Sequence, residues 1–122
     1  MKSEEFNDYS EVDLNCLVYK CHKQAKNMGW WDKPRPVPEL LCLIHSEISE
    51  AMEGYRKDQM DDHLPHRKML EVELADALIR ILDMAGGLEL DLGAAVKEKM
   101  NYNLTRADHQ PENRAKPGGK RI

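Results

Sequence analysis

Two pairs of acids at helical spacing carry the clearest chemical potential in this sequence: Glu47-Ile-Ser-Glu50 and Glu73-Leu-Ala-Asp76. In each pair the second acid follows the first by three residues, which sets both carboxylates along one side of a helix. On a wheel of about 100° per residue, Glu47 and Glu50 fall about 60° and 120° from Ile44, flanking an apolar stripe. The second pair opens a longer series, Glu73, Asp76, Arg80 and Asp83, which fills a narrow polar strip on an otherwise apolar segment. A strip that narrow is not a solvated face. If the two segments pack as neighbours, Glu47, Glu50, Glu73 and Asp76 converge on one partly buried site. Two such charges about 4 Å apart repel by about 4 kcal/mol at an effective dielectric of about 20. Mg²⁺ or Mn²⁺ would offset that repulsion, because these hard cations take carboxylate oxygens, keep several waters and complete their shells with substrate phosphates. A single Glu-x-x-Glu is ordinary surface decoration; two such pairs beside apolar stripes point to a site, with Glu50 the candidate general base.

Other metal chemistry is poorly supplied. A di-iron carboxylate bundle needs Glu-x-x-His on two helices, and none of the five histidines follows an acid by three residues. Zinc hydrolysis would call for a His-Glu-x-x-His run or a cysteine cluster, and neither is present.

Further along, Lys99, Asn103 and Arg106 stand at i, i+4 and i+7, which puts two cations and an amide on one helix face. Taken alone this is a solvated basic stripe; beside an acidic metal site it complements a triphosphate whose charge the metal neutralises only in part. The C-terminal segment adds Arg114, Lys116, Lys120 and Arg121 with no acid after Glu112. Trp30 and Trp31, the two tryptophans, precede the helix of the first acid pair. Indoles there suit stacking on a nucleobase, the alternative for each being core packing.

The elements that must position these groups read as four helices. Leu14, Leu17, Val18, Cys21, Ala25 and Met28 make the apolar stripe of a first helix over residues 12–28. Gly29 ends it, and the proline-rich run over residues 30–38 is an ordered connector. Pro38 opens a second helix reaching to about Lys57, followed by a polar loop over residues 58–67. The third helix, over residues 69–85, is apolar around most of its circumference and is expected to be enclosed by neighbours, with Gly86-Gly87 as its stop. Asp91 is the expected N-cap of a fourth helix over residues 92–106. Residues 1–10 and 107–122 are expected to be flexible tails, the latter a possible lid over the phosphates. At 122 residues and 41% hydrophobic content the chain fits one all-α domain with a modest core. A net charge of -4 with intermixed signs argues against polymeric nucleic acid as a partner. No apolar run approaches a membrane span. Cys16, Cys21 and Cys42 form no Cys-x-x-Cys pair, and with no secretory leader in view they are expected to be reduced, buried thiols of a cytoplasmic protein.

Taken together, these residues resemble the MazG-like, all-α NTP pyrophosphohydrolase superfamily, whose signature is an ExxE pair on one helix and an ExxD pair on the next. The similarity runs from Trp31 and Pro34 through Leu40-Leu41 into Glu47 and Glu50. It continues through Asp76-Ala-Leu-Ile-Arg80-Ile-Leu-Asp83 and Lys99-Met-Asn-Tyr-Asn103-Leu-Thr-Arg106 to Gly118-Gly119-Lys120. The resemblance implies a four-helix MazG-like bundle and attack of metal-activated water at the α-phosphorus of a (d)NTP, releasing a monophosphate and pyrophosphate. It implies Mg²⁺ or Mn²⁺ on Glu47, Glu50, Glu73 and Asp76, and phosphates on Lys99, Asn103 and Arg106, with Lys120 beside them. It implies a base pocket involving Trp31 and His22, to which Trp30 is a neighbour. Arg80 stands where some relatives carry a tyrosine, as a phosphate or base contact. A homo-oligomer, tetramer before dimer, is implied as well, and the enclosed character of the third helix agrees with it.

A purine is slightly favoured, since larger rings gain more stacking area. Two other readings share these residues: a pyrophosphohydrolase acting on phosphoribosyl-ATP or a similar metabolite, and a non-catalytic helical adaptor that merely holds metal.

Overall fold

The computed structural model describes residues 11–106, 108 and 110–120, so the expected tail over residues 1–10 lies outside the described residues. The chain is all-helical: α1 Glu11–Asn27, α2 Val37–Arg56, α3 Met69–Gly87, α4 Leu92–Thr105 and a single turn α5 Pro111–Arg114. Among the described residues there is no strand, only one isolated antiparallel bridge between Met60 and Lys68. None of these helices is long and apolar enough to cross a membrane. The four expected helices are found within one or two residues of their expected ends. The fifth falls in the segment expected to be a tail, where Pro111 supplies a favourable first-turn residue.

By contacts the chain divides into two compact units, Cys16–Leu90 and the pairing of Met1–Asn15 with Asp91–Ile122. Within the first, α1 ends where Gly29 takes φ +83 and Trp30 N–H reaches back to the Ala25 carbonyl at 3.1 Å, a closure that favours glycine. Pro36 is the extended residue before α2, and Pro38 sits in the helix's first turn. Helix α2 stops at the left-handed Asp58, and the loop beyond it folds on Asp61, whose buried carboxylate accepts the His63 and Leu64 N–H groups at 2.9 and 2.8 Å.

Helices α2 and α3 pack against each other. Gly54, near the end of α2, lies so close to Met69, at the start of α3, that a Cβ there would sit 2.7 Å from the Met69 side chain; the two helices therefore run antiparallel. Their shared core is small, with Leu40, Ala51, Ala77, Leu82 and Ala85 buried and Leu82 only 1% exposed. Enclosure of α3 is not achieved by this chain alone, because Leu74, Leu78 and Ile79 are about half exposed, at 50%, 48% and 49%. The expectation of buried thiols also fails: Cys16 and Cys42 are exposed, and Cys21 is half-buried.

Gly86 and Gly87 are not the stop of α3. Both lie inside it, and the left-handed residue beyond its end is Glu89, φ +57. Their lack of a side chain serves close packing instead. A Cβ on Gly86 would come within 2.6 Å of the His22 side chain, and one on Gly87 would run into the Trp31 indole. In the second unit the expected cap is present: Asp91 accepts the Ala94 N–H at 3.1 Å and an Asn15 amide at 2.9 Å, while Asn15 accepts the Gly93 N–H at 2.9 Å. Those bonds, the Asn15 donation first, hold the Asp91 carboxyl below its usual range.

Gly87→Ala tests the seating of Trp31. Alanine gains about 1 kcal/mol of helix propensity, but overpacking against a fixed ring costs about 1–3 kcal/mol. The variant is expected to lower the urea midpoint, and a raised midpoint would mean that the indole does not rest on α3.

Candidate metal centre and adjoining cavity

The antiparallel packing of α2 on α3 brings Glu47 against the first two turns of α3. Among the described residues, Glu47, Glu73 and Asp76 form the one group of three potential metal-ligating side chains, with an oxygen from each within 4.8 Å of the others. All three are half-buried, and so is Arg80, while Asp83 at the end of the strip is buried. The polar strip on α3 is therefore a packed surface, as its narrowness predicts. Glu50 stands exposed on α2, outside the group of three, but near enough that its charge raises the proton affinity of Glu73.

The electrostatics follow from crowding. The Glu73 carboxyl is pushed up to about 7, first by burial, then by a hydrogen bond with Glu47 and by the charges of Glu47, Asp76 and Glu50. Asp76 is raised too, by burial and Glu47 and further by Asp61, against the lowering influence of Arg80. Arg80 is the counter-charge within the cluster: its Nε donates to Glu47 Oε1 at 2.8 Å. One guanidinium among three carboxylates leaves net negative charge, and Glu73 relieves part of it by holding a proton. A hard divalent cation is the other way to relieve it, and this all-oxygen donor set suits one.

A cavity of about 280 Å³ adjoins the acids, its wall formed in part by Glu47, Asp76, Trp30, Arg35, Arg80 and Asp83. Trp30 is 51% exposed, and the guanidinium carbons of Arg35 and Arg80 lie 5.7 and 5.9 Å from its ring centre, within the range of cation–π attraction. Trp31 and His22, the expected base-binding pair, do not line this cavity. They face each other edge-on at 5.1 Å, and both hydrogen-bond to Asp83. Beside them, Cys21 has its thiol pushed up by burial and by the charge of Asp83, so it is not an activated nucleophile.

The expected phosphate row lies on α4 and beyond it, in the second unit. There Lys99 Nζ and the Arg106 guanidinium lie 4.8 and 5.9 Å from the Tyr102 ring centre. Arg106 also forms a two-bond pair with Asp108, at 3.0 and 2.7 Å, which raises its own pKa. Lys120 Nζ approaches the same carboxylate at 4.0 Å. Asn103 Oδ1 is buried with no hydrogen-bond partner among the described residues. Three of these four residues are thus gathered around Tyr102 and Asp108, to which sequence reasoning assigned no role. The spacing holds a signal for Tyr102, three residues after Lys99 and four before Arg106; nothing comparable marks Asp108, Arg35 or the function of Asp83.

Comparison with known protein families, with curated proteins and with solved structures finds no match to this chain.

Glu73 makes stability depend on pH. Its folded pKa of about 7 exceeds the ordinary value of 4.5, so its contribution is complete below about pH 4.5 and is lost as pH rises through about 7. The metal-free protein is expected to melt lower at about pH 8 than at about pH 5.5. Saturating Mn²⁺, which binds the deprotonated acids, should raise the melting temperature more at the higher pH. Glu73→Gln should flatten the pH dependence, and an unchanged slope in that variant would place the titration elsewhere.

Proposed function

We propose that this chain is a metal-dependent nucleoside triphosphate pyrophosphohydrolase on a MazG-like helical bundle, converting a (d)NTP and water to a (d)NMP and pyrophosphate. The observation that carries the reading is the meeting of the three-carboxylate group with a cavity walled by an exposed indole and two guanidinium groups. Acids for a divalent ion, cations for phosphate charge and an aromatic face for a base then occur in one place, and the ExxE and ExxD pairs behind them are those of the resembled superfamily.

Glu47, Glu73 and Asp76 would hold Mg²⁺ or Mn²⁺, which when bound neutralises phosphate charge and acidifies a coordinated water. The remaining work falls to the chain's own groups. Trp30 offers its exposed face to the base, and a purine gains the larger stacking area. Arg80, bonded to Glu47 here, would be released from it if that acid held a metal, and its guanidinium would then be placed to bind the phosphates. Glu50, outside the group of three, accepts the proton of the attacking water as oxygen bonds to the α-phosphorus and the bond to the leaving pyrophosphate breaks. Lys99, Asn103, Arg106 and Lys120 belong to this proposal as phosphate contacts by resemblance.

A homo-oligomer completes the reading. Ile48, Met52 and Tyr55 on α2 and Leu74, Leu78 and Ile81 on α3 are exposed large apolar side chains, more than a lone small domain usually leaves in water. A second copy is their proposed cover, with a tetramer preferred. Light scattering after gel filtration is expected to give a multiple of the chain mass.

The decisive assay incubates the eight common NTPs and dNTPs with Mg²⁺ or Mn²⁺ and separates monophosphate from diphosphate. Monophosphate and pyrophosphate are expected, with kcat reduced at least about a hundredfold in Glu47→Gln and Glu73→Gln. Diphosphate with orthophosphate as the main products refutes attack at the α-phosphorus. Consumption of phosphoribosyl-ATP alone would move the substrate, and no consumption of any of these compounds would leave a metal-holding adaptor.

A further inference from the structure

Asp83 is a buried carboxylate that the proposed chemistry does not use. It lies on α3 about two turns beyond Asp76, and its side chain gathers three donors from outside that helix. His22 Nδ1 and Trp31 Nε1 each lie 2.9 Å from Oδ1, and Arg35 Nη1 lies 3.5 Å from Oδ2. A carboxylate 8% exposed needs such partners, because an unpaired buried charge is among the costliest defects in a fold. Of these partners Arg35 lines the cavity, and Trp31 is the chain neighbour of Trp30, which lines it as well. His22 comes from α1, while Trp31 and Arg35 belong to the connector between α1 and α2. Arg35 itself lies 5.0 Å from the Trp31 ring centre and 5.7 Å from that of Trp30.

Gly86 and Gly87 follow Asp83 at i+3 and i+4 and leave room for His22 and Trp31 against the same face of α3. One stretch of helix thus supplies both the acceptor that binds the connector's polar edges and the bare backbone its rings rest on. The backbone of Trp30 is fixed by the turn that closes α1, but the connector forms no regular secondary structure after that turn. The setting of the Trp30 indole therefore depends on the neighbours that flank it, Trp31 and the Arg35 guanidinium, both of which Asp83 holds. Arg35 depends on Asp83 in a second way. It lines the same cavity as Glu47 and Asp76, and without its own carboxylate it would be drawn to those acids, in competition with a metal.

We propose that Asp83 is the positioning residue of the nucleobase subsite. By binding Trp31, His22 and Arg35 it fixes the connector so that Trp30 presents its face to the cavity, and it keeps Arg35 off the metal-binding acids. Trp31 and His22 then serve as supports of the base-stacking wall, and Trp30 is the wall. This rests on the pyrophosphohydrolase reading for its substrate but not for its geometry.

The test pairs Asp83→Asn, which keeps the side chain's size and removes its charge, with Trp31→Phe, which removes the indole N–H together with one of its two fused rings. Nucleotide hydrolysis and quenching of tryptophan fluorescence by phosphate-free nucleosides, without metal, are the readouts. Asp83→Asn is expected to raise KM about tenfold, the effect of losing about one hydrogen bond to a charged group, with kcat within about twofold and with discrimination between bases reduced. Trp31→Phe should act in the same direction, and the double variant should fall short of the product of the two single effects, since both lose the Trp31–Asp83 contact. Nucleoside affinity should fall by the same factor in both variants and be retained in Glu73→Gln, which loses hydrolysis. A fall in kcat with KM and base preference unchanged, or effects of the two substitutions that simply multiply, would overturn the proposal. Should the wild-type chain hydrolyse nothing, the nucleoside readout still decides: a lower nucleoside affinity in Trp31→Phe and Asp83→Asn upholds Asp83's role, and equal affinity, or no quenching in the wild type, overturns it.

Discussion

Three carboxylates held within 4.8 Å of one another by the close packing of α2 on α3 set the terms for the surrounding structure. Small residues allow that approach: Gly54 at one end, Ala51 and Ala77 along the contact, with Leu82 the one large side chain fully enclosed among the described residues. The burial that stabilises the pair also removes water from the acids, and this raises both their mutual repulsion and their proton affinity. The chain meets the repulsion with a single guanidinium, Arg80 on Glu47, and with a proton on Glu73. Both are replaceable, and that is why a crowded acid group in a small core reads as a place for an exchangeable cation.

Helix α3 carries a second device about two to three turns further on, built on the opposite principle. Asp83 is neutralised by permanent partners at fixed positions, and its helix presents bare backbone to the rings that those partners carry. The first device is unsatisfied by design and the second is satisfied. The cavity lies between them, with Glu47 and Asp76 on one side and Trp30, Arg35 and Asp83 on the other. That proximity makes the proline-rich connector part of the cavity's wall.

The second unit repeats the theme with cations. Tyr102 gathers Lys99 and Arg106, and Asp108 gathers Arg106 and Lys120, so a row that looks like a free basic stripe on a helical wheel is partly neutralised and oriented. Meanwhile large apolar side chains on the outer faces of α2 and α3 remain in water.

Much of the fold was legible in the sequence. The apolar period of four segments, Gly29, the prolines before α2 and the Asp91 cap located the helices to within a residue or two, because these signals act through neighbours three or four positions apart. The acid spacing and the narrow strip on α3 likewise pointed to a meeting of Glu47, Glu50, Glu73 and Asp76, of which the structure groups Glu47, Glu73 and Asp76, since a helical strip with no room for water must face another element. Other facts depend on residues distant in the chain. Glu50 lies outside the group of three although its wheel position flanks the same stripe as Glu47, and Gly86-Gly87 looked like a stop because only the packed structure reveals the indole and imidazole lying against them. Asp83 was visible as a strip residue, but its three donors come from positions 48 to 61 residues earlier. Local period and propensity are properties of the sequence itself; which polar group ends beside which is settled only when the helices pack.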